Sequence, residues 1–308
     1  MTVAQPNLVR AGLWPLLLLL ALGTMWGSTF SISKLAIAHG VPPLGYGVWQ
    51  CLGAASLLFL VTLARGEPLV LNRASLRFGF LAGSMGITVP NLAFYFSIPH
   101  VPASAMAVVI TVAPLFTLCG ALGLGMERLS LLRTLGLLLG FSGTLVLLLP
   151  GAALPEGAQY GWLLLGLLTP LFYSINSLFA ARARPPGQSP LSMAVLMLAG
   201  GAVVQVPVAV ALDSLFIPSG FDLPSLMIMT QVTVSAVAYI IYFTLMRQVG
   251  PVYVGQVGYV VTLTGLVWAM LVFGERASEG LLAAVALILG GVYLVNRSSG
   301  ATARPADR

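Results

Sequence analysis

Charge is almost absent from long parts of this chain. Uninterrupted stretches without Asp, Glu, Lys or Arg run over 11–33, 35–64, 78–126, 134–155, 157–181, 185–212, 223–246, 248–274 and 280–296. A helix crossing the hydrocarbon of a bilayer needs about 20 mostly apolar residues. Each stretch supplies one, with 280–296 at the lower limit and 78–126 long enough for two. The double stretch breaks at Ile98-Pro99-His100-Val101-Pro102, where two prolines mark a turn. The expectation is an all-α membrane protein of ten transmembrane helices.

Composition closes off the alternatives. Only 7% of residues are charged and 58% are apolar, against roughly 25% charged in a soluble domain. That excludes an ordinary soluble enzyme, and equally a disordered or coiled-coil chain. A membrane β-barrel would show short alternating segments instead of continuous apolar runs. Cys51 and Cys119 both fall inside predicted spans, so no disulfide framework is visible. The first apolar run continues through Trp26 to Ile37 without an Ala-x-Ala cleavage site, so it is read as helix 1 and not as a signal peptide.

Basic residues orient the bundle, because they concentrate in short cytoplasmic loops. With the N-terminus inside, 12 of the 14 basic residues fall on the inner side; Lys34 and Arg276 are left outside. Both termini are therefore expected in the cytoplasm. The net charge of +6 follows from this loop bias, and no nucleic-acid partner is expected.

The sequence also repeats itself. Glu127-Arg128-Leu129-Ser130 returns as Glu275-Arg276-Ala277-Ser278, and the same offset pairs Trp14 with Trp162, Lys34 with Arg182 and Gly143 with Gly291. One residue less pairs Tyr95-Phe96 with Tyr242-Phe243. Two five-helix halves result, 1–152 and 153–308. Five is odd, so the second half enters the membrane from the opposite side. Two inverted five-helix repeats are the sequence signature of a transporter with one site exposed alternately to either face.

Trp26-Gly27-Ser28-Thr29-Phe30 followed by Lys34, the Glu-Arg ends of helices 4 and 9 (Gly123 to Arg128; Gly274-Glu275-Arg276) and the glycines of helix 5 carry a family likeness. The chain resembles, over nearly its whole length, the EamA branch of the drug/metabolite transporter superfamily. That resemblance implies ten helices in two inverted repeats, export of amino acids or other small metabolites across a bacterial inner membrane, and a central cavity lined by helices 1, 3, 4, 6, 8 and 9.

Candidate substrate-binding residues come from polar stripes. Helix 3 places Ser84, Thr88, Asn91 and Tyr95 at i, i+4, i+7 and i+11, one face of a 3.6-residue helix. Helix 8 places Gln231, Ser235, Ala238 and Tyr242 at the same spacing, with Tyr239 beside them. Helix 9 adds Gln256, Tyr259 and Thr262, helix 4 adds Ser104 and Thr111, and helix 6 adds Tyr173 and Asn176. Trp26, Phe30 and Lys34 form one stripe on helix 1. Polar side chains in hydrocarbon turn to the bundle interior, where they either line a cavity or bond neighbouring helices. Lys34 either draws a substrate carboxylate or makes a snorkelling or structural contact. Tyr95 and Tyr242, at equivalent repeat positions, would serve as outer and inner gates or as interface anchors.

Absences narrow the function. No zinc-binding His-Glu-x-x-His and no Walker loop occur in the sequence, so neither an enzyme nor an ATP-driven pump is expected, with no metal and no cofactor. Every Asp and Glu sits at a helix end or in a loop. The expectation is a secondary carrier exporting a small neutral or zwitterionic metabolite, amino acids first, from a monomer or homodimer in the lipid bilayer of the inner membrane. The rivals are a passive channel, an exporter of drug-like solutes, and a scaffold without transport.

Overall fold

A computed structural model describes residues 13–126, 130–148, 160–183, 185, 187–249 and 257–301. The helices are α1 (Leu13–Ala38), α2 (Pro43–Ala64), α3 (Arg73–His100), α4 (Ala103–Gly123) and α5 (Leu131–Leu148). The second set is α6 (Tyr160–Gly166 and Leu168–Ala183), α7 (Pro190–Ala211), α8 (Leu223–Gln248), α9 (Val257–Phe273) and α10 (Glu279–Ala301). Among the described residues, seven helices are long and apolar enough to cross a bilayer, and the apolar cores of α5, α9 and α10 are shorter.

Local chemistry sets the ends and the breaks. Asn72, Ser189 and Asp222 cap α3, α7 and α8 by accepting from the backbone N–H three residues on. Pro90 has no N–H, and its ring crowds the preceding turn. Residues Ser84–Thr88 answer with a π-turn, in which the Val89 N–H reaches back to Ser84 O. Pro114 sits second in the piece Ala113–Gly123, where α4 restarts after a break, and Pro170 lies three residues into the second piece of α6. α7 runs unbroken through Pro207, so of the four prolines this one leaves no interruption.

Helix contacts close a ring in the order α9, α1, α8, α2, α7, α3, α6, α4 and back to α9, with α5 and α10 packed on each other beside it. Exchanging each helix with the one five places on maps this order onto itself. α1 on α9 matches α6 on α4, α1 on α8 matches α6 on α3, and α3 on α7 matches α8 on α2. The contacts thus carry the duplication seen in the sequence. Large apolar side chains such as Leu60, Leu138, Val203 and Leu271 stay exposed, a surface suited to lipid and untenable in water.

Close approach depends on glycine in two places. On α3 and α7, Gly79 and Gly83 face Gly200 and Gly201; a Cβ on Gly83 would lie 2.7 Å from Gly200 carbonyl carbon. On α5 and α10, a Cβ on Gly143 would lie 2.9 Å from Ala284 O, and one on Gly291 would lie 2.5 Å from Gly136 O. Gly143 and Gly291 are repeat mates, so each seals the other's helix. The small-residue face of helix 5 is used inside the monomer.

Candidate functional site

Polar side chains meet inside the ring around one residue of α2. Gln50 Oε1 accepts from Asn91 Nδ2 at 2.8 Å and from the Tyr95 hydroxyl, both on α3. Gln50 Nε2 points at Ser235 Oγ on α8 at 3.5 Å, and Gln231 Nε2 donates to the same oxygen at 3.1 Å. Tyr173 on α6 donates its hydroxyl to Asn91 Oδ1 at 3.1 Å. Asn91, Tyr95, Ser235 and Gln231 are buried, whereas Gln50 and Tyr173 remain half-buried. One chain of hydrogen bonds therefore joins α6, α3, α2 and α8 across both halves of the sequence.

The remaining candidates fall around this chain. Thr88 donates to Gly201 O at 3.2 Å and lies 3.3 Å from Gln205 Nε2, which also reaches Cys51 Sγ. Asn176 packs its amide on Gly86 inside the π-turn, and its Oδ1 has no partner. Trp26 lies against Tyr242 at 5.5 Å and Tyr239 at 6.2 Å between ring centroids. Thr262 lies 3.4 Å from Thr111 Oγ1 across the α4–α9 contact, a pair separate from the Gln50 network. The Ser84 hydroxyl is spent on Phe80 O of its own helix at 2.7 Å. Tyr259 is half-buried on α9. Gln256 lies outside the described residues.

Charge is held at the helix ends. Gly274 ends α9 in the left-handed region at φ 65°, which turns the chain and brings Glu275 back over α4. The Glu275 carboxylate accepts from Ala103 N at 2.9 Å, Ser104 N at 3.1 Å and Ser104 Oγ at 2.7 Å. Lys34 Nζ completes the cluster, 3.1 Å from Glu275 Oε1, 3.0 Å from Val101 O and 5.0 Å from the centre of the Phe273 ring. Burial works to raise the Glu275 pKa, but the bonds from Ser104 and Ala103 and the Lys34 charge outweigh it and hold the group below its usual value. Of the two roles open to Lys34, the structure shows the structural contact.

Gln50 and Gln205 were not legible as stripe members, because each stands alone among apolar neighbours in its span. The signal they did carry is an amide in the middle of a charge-free stretch. Such a group faces protein or water, since facing lipid leaves it unpaired. Among the described residues no group of three His, Cys, Asp or Glu is placed to hold a metal ion.

Among the described residues, ten apolar helices whose contacts repeat under exchange of two five-helix sets close around an uncharged polar interior, and they define a polytopic membrane transporter fold. The sequence pattern of the EamA-like transporter family matches twice, over residues 13–149 and 160–297. The chain belongs to the EamA-like transporter family. It is 28% identical over 285 residues to the uncharacterized inner membrane transporter YedA of Escherichia coli strain K12, covering 90% of this chain and 89% of that one. It is 25% identical over 286 residues to the uncharacterized transporter YvbV of Bacillus subtilis strain 168, covering 92% of each. A solved crystal structure shares the fold at a TM-score of 0.61, with 18% identity over 96% of this chain and 100% of the other.

Proposed function

We propose that this protein is a secondary carrier that exports small neutral or zwitterionic metabolites, amino acids first among them, across the bacterial inner membrane by alternating access. The observation that supports this reading is the Gln50-centred network, in which groups from both halves meet in the ring without a charged member. An interior of that kind offers a polar solute placed donors and acceptors among apolar walls, as small-molecule sites generally do. A permanently charged solute would enter it unpaired, at high cost.

The halves 1–152 and 153–308 act as the two inverted units that rock about this site, with both termini in the cytoplasm and the Lys34 end of the bundle outside. The inner-membrane location is supported by the Escherichia coli relative, which is named an inner membrane transporter. The working unit is a monomer or a homodimer, with lipid and the solute as its partners.

Purified protein in liposomes, offered a panel of radiolabelled amino acids, tests the reading. Saturable flux of one or more amino acids is expected. Flux that stays linear with concentration makes it a channel; saturable flux of other solutes alone removes the amino-acid assignment; no solute flux leaves a scaffold.

A further inference from the structure

Two donors from α3 converge on one oxygen of Gln50, and they are held there by groups other than Gln50. Tyr173 donates to Asn91 Oδ1 at 3.1 Å, which turns the Asn91 NH2 group toward α2. Tyr95 is fixed edge-on to Tyr46 at 4.9 Å and to Phe94 at 5.4 Å. The donors are pre-set, while the acceptor is the loose member of the group. Gln50 is half-buried, whereas Asn91 and Tyr95 are 6% and 3% exposed. Its other end is held by one long contact of 3.5 Å to Ser235.

The Gln50 oxygen has two lone pairs and takes both donors, but a carboxylate would accept the same pair through bonds about twice as strong as those of a neutral amide. Close to this spot lies an acceptor with nothing to accept. Gln231 is 1% exposed and bonds Ser235 through Nε2, but its Oε1 has no partner. An unsatisfied buried acceptor costs free energy that a donor-bearing ligand recovers. Donors on α3 and a vacant acceptor on α8 are therefore linked through Gln50 and Ser235.

We infer that the Gln50 amide stands in for the carboxylate of a zwitterionic substrate: the substrate displaces Gln50 Oε1 from Asn91 and Tyr95, and its ammonium group is received at Gln231 Oε1. This rests on the carrier reading above and assigns Gln50 as a specificity residue that competes with the substrate for its own site. A zwitterion brings both charges together, so it satisfies both ends of the site without leaving a net charge in the interior. An amine without the carboxyl group leaves Gln50 in place, and an amide competes for the donors with a group no better than the one it must displace.

The test uses the full-length protein in liposomes and in detergent. Binding is read by tryptophan fluorescence and by ligand-induced rise in Tm, with leucine, leucinamide and isopentylamine as probes. Wild type is expected to bind leucine and to bind the other two at least about 10-fold more weakly. Gln50→Ala is expected to melt lower when empty and to bind leucine roughly 5-fold more tightly, since nothing has to be displaced. Gln50→Met, similar in size and without the amide, should show the same tightening if the alanine variant fails to fold. Gln50→Glu, whose tethered carboxyl group occupies the same donors, should fold and lose leucine binding. Weaker or unchanged binding in both Gln50→Ala and Gln50→Met overturns the inference while leaving the carrier reading intact. Equal binding of isopentylamine by the wild type overturns the carboxylate assignment. A wild type that neither binds nor moves any zwitterion overturns this inference and the amino-acid reading together.

Discussion

Lys34 and Glu275 lie 241 residues apart in the chain and 3.1 Å apart in the fold. Their contact joins the end of α1 to the end of α9, and the same carboxylate caps the first turn of α4 through Ala103 and Ser104. A carboxylate on the N-terminal N–H groups of a helix also meets the positive end of its dipole. One side chain thus pins three helices from both halves at a single end of the ring.

The first prediction concerns the pH dependence of this clamp. The folded-state pKa of Glu275 lies below its usual value. Its contribution is therefore fully present above the ordinary carboxylate range and is lost as pH falls through the lowered folded value. Glu275→Gln keeps an acceptor and removes the charge; at neutral pH it should cost about 1–2 kcal/mol after allowance for partial exposure. Melts of both proteins from pH 7 down to pH 3 should show the gap closing at the acid end. A gap that stays constant over that range would show that the charge contributes nothing.

A second prediction follows from the glycines of α5 and α10. Because Gly291 abuts the Gly136 backbone and Gly143 abuts Ala284, Gly291→Leu should separate the two helices and cost about 1–3 kcal/mol through overpacking. The expected result is a lower Tm at unchanged oligomeric mass on size exclusion with light scattering. A variant that keeps its Tm but loses a dimer peak would place the contact between molecules instead.

How much of this was open to sequence reading depends on the range of the interaction. Spans, turns and the duplication are local or periodic, so runs of apolar residues and a constant offset display them directly. The stripe on α3 was legible for the same reason: Thr88, Asn91 and Tyr95 recur at helical spacing and all turn into the ring. Ser84 has the same spacing but spends its hydroxyl on Phe80 O of its own helix, at the start of the π-turn, rather than on the ring. Gln50 has no periodic partner in its span, and its importance comes from two helices that meet it in space, α3 and α8, with α6 joined through Asn91. Lys34 is similar: its role is set by Glu275, and pairing across 241 residues leaves no trace in local pattern.

A third prediction concerns energy coupling. Among the described residues Glu67, Asp213, Asp222, Glu275 and Glu279 all lie outside the helices or at their ends, so none is placed as the buried proton relay common in pumps. Flux in sealed vesicles should follow the solute gradient or run as exchange. Uphill accumulation of an amino acid driven by a pH gradient alone would sink this expectation.

The last prediction concerns the gates, and the repeat mates Tyr95 and Tyr242 differ in a way that sharpens it. Tyr95 is 3% exposed and belongs to a row of edge-on aromatic contacts, from Tyr46 on α2 through Tyr95 and Phe94 on α3 to Phe30 on α1. That row reaches α1 at Phe30, one helical turn before Lys34 and its clamp. Tyr242 is half-buried, against Trp26. The mates of Phe30 and Phe94 are Leu178 and Ile241, also half-buried. Under alternating access this arrangement is shut at the Lys34 end, so removing Tyr95 should change accessibility more than removing Tyr242. With Cys51 and Cys119 replaced by alanine, Thr88→Cys should gain labelling from outside at least about 10-fold when Tyr95→Ala is added, the weight of roughly one lost aromatic contact and hydrogen bond. Ser235→Cys, buried like Thr88, should gain labelling from the cytoplasmic side by a smaller factor when Tyr242→Ala is added. If Tyr95→Ala left the outside rate unchanged and lowered folded yield, Tyr95 would be a packing residue of the ring and the barrier at that end would lie in the clamp.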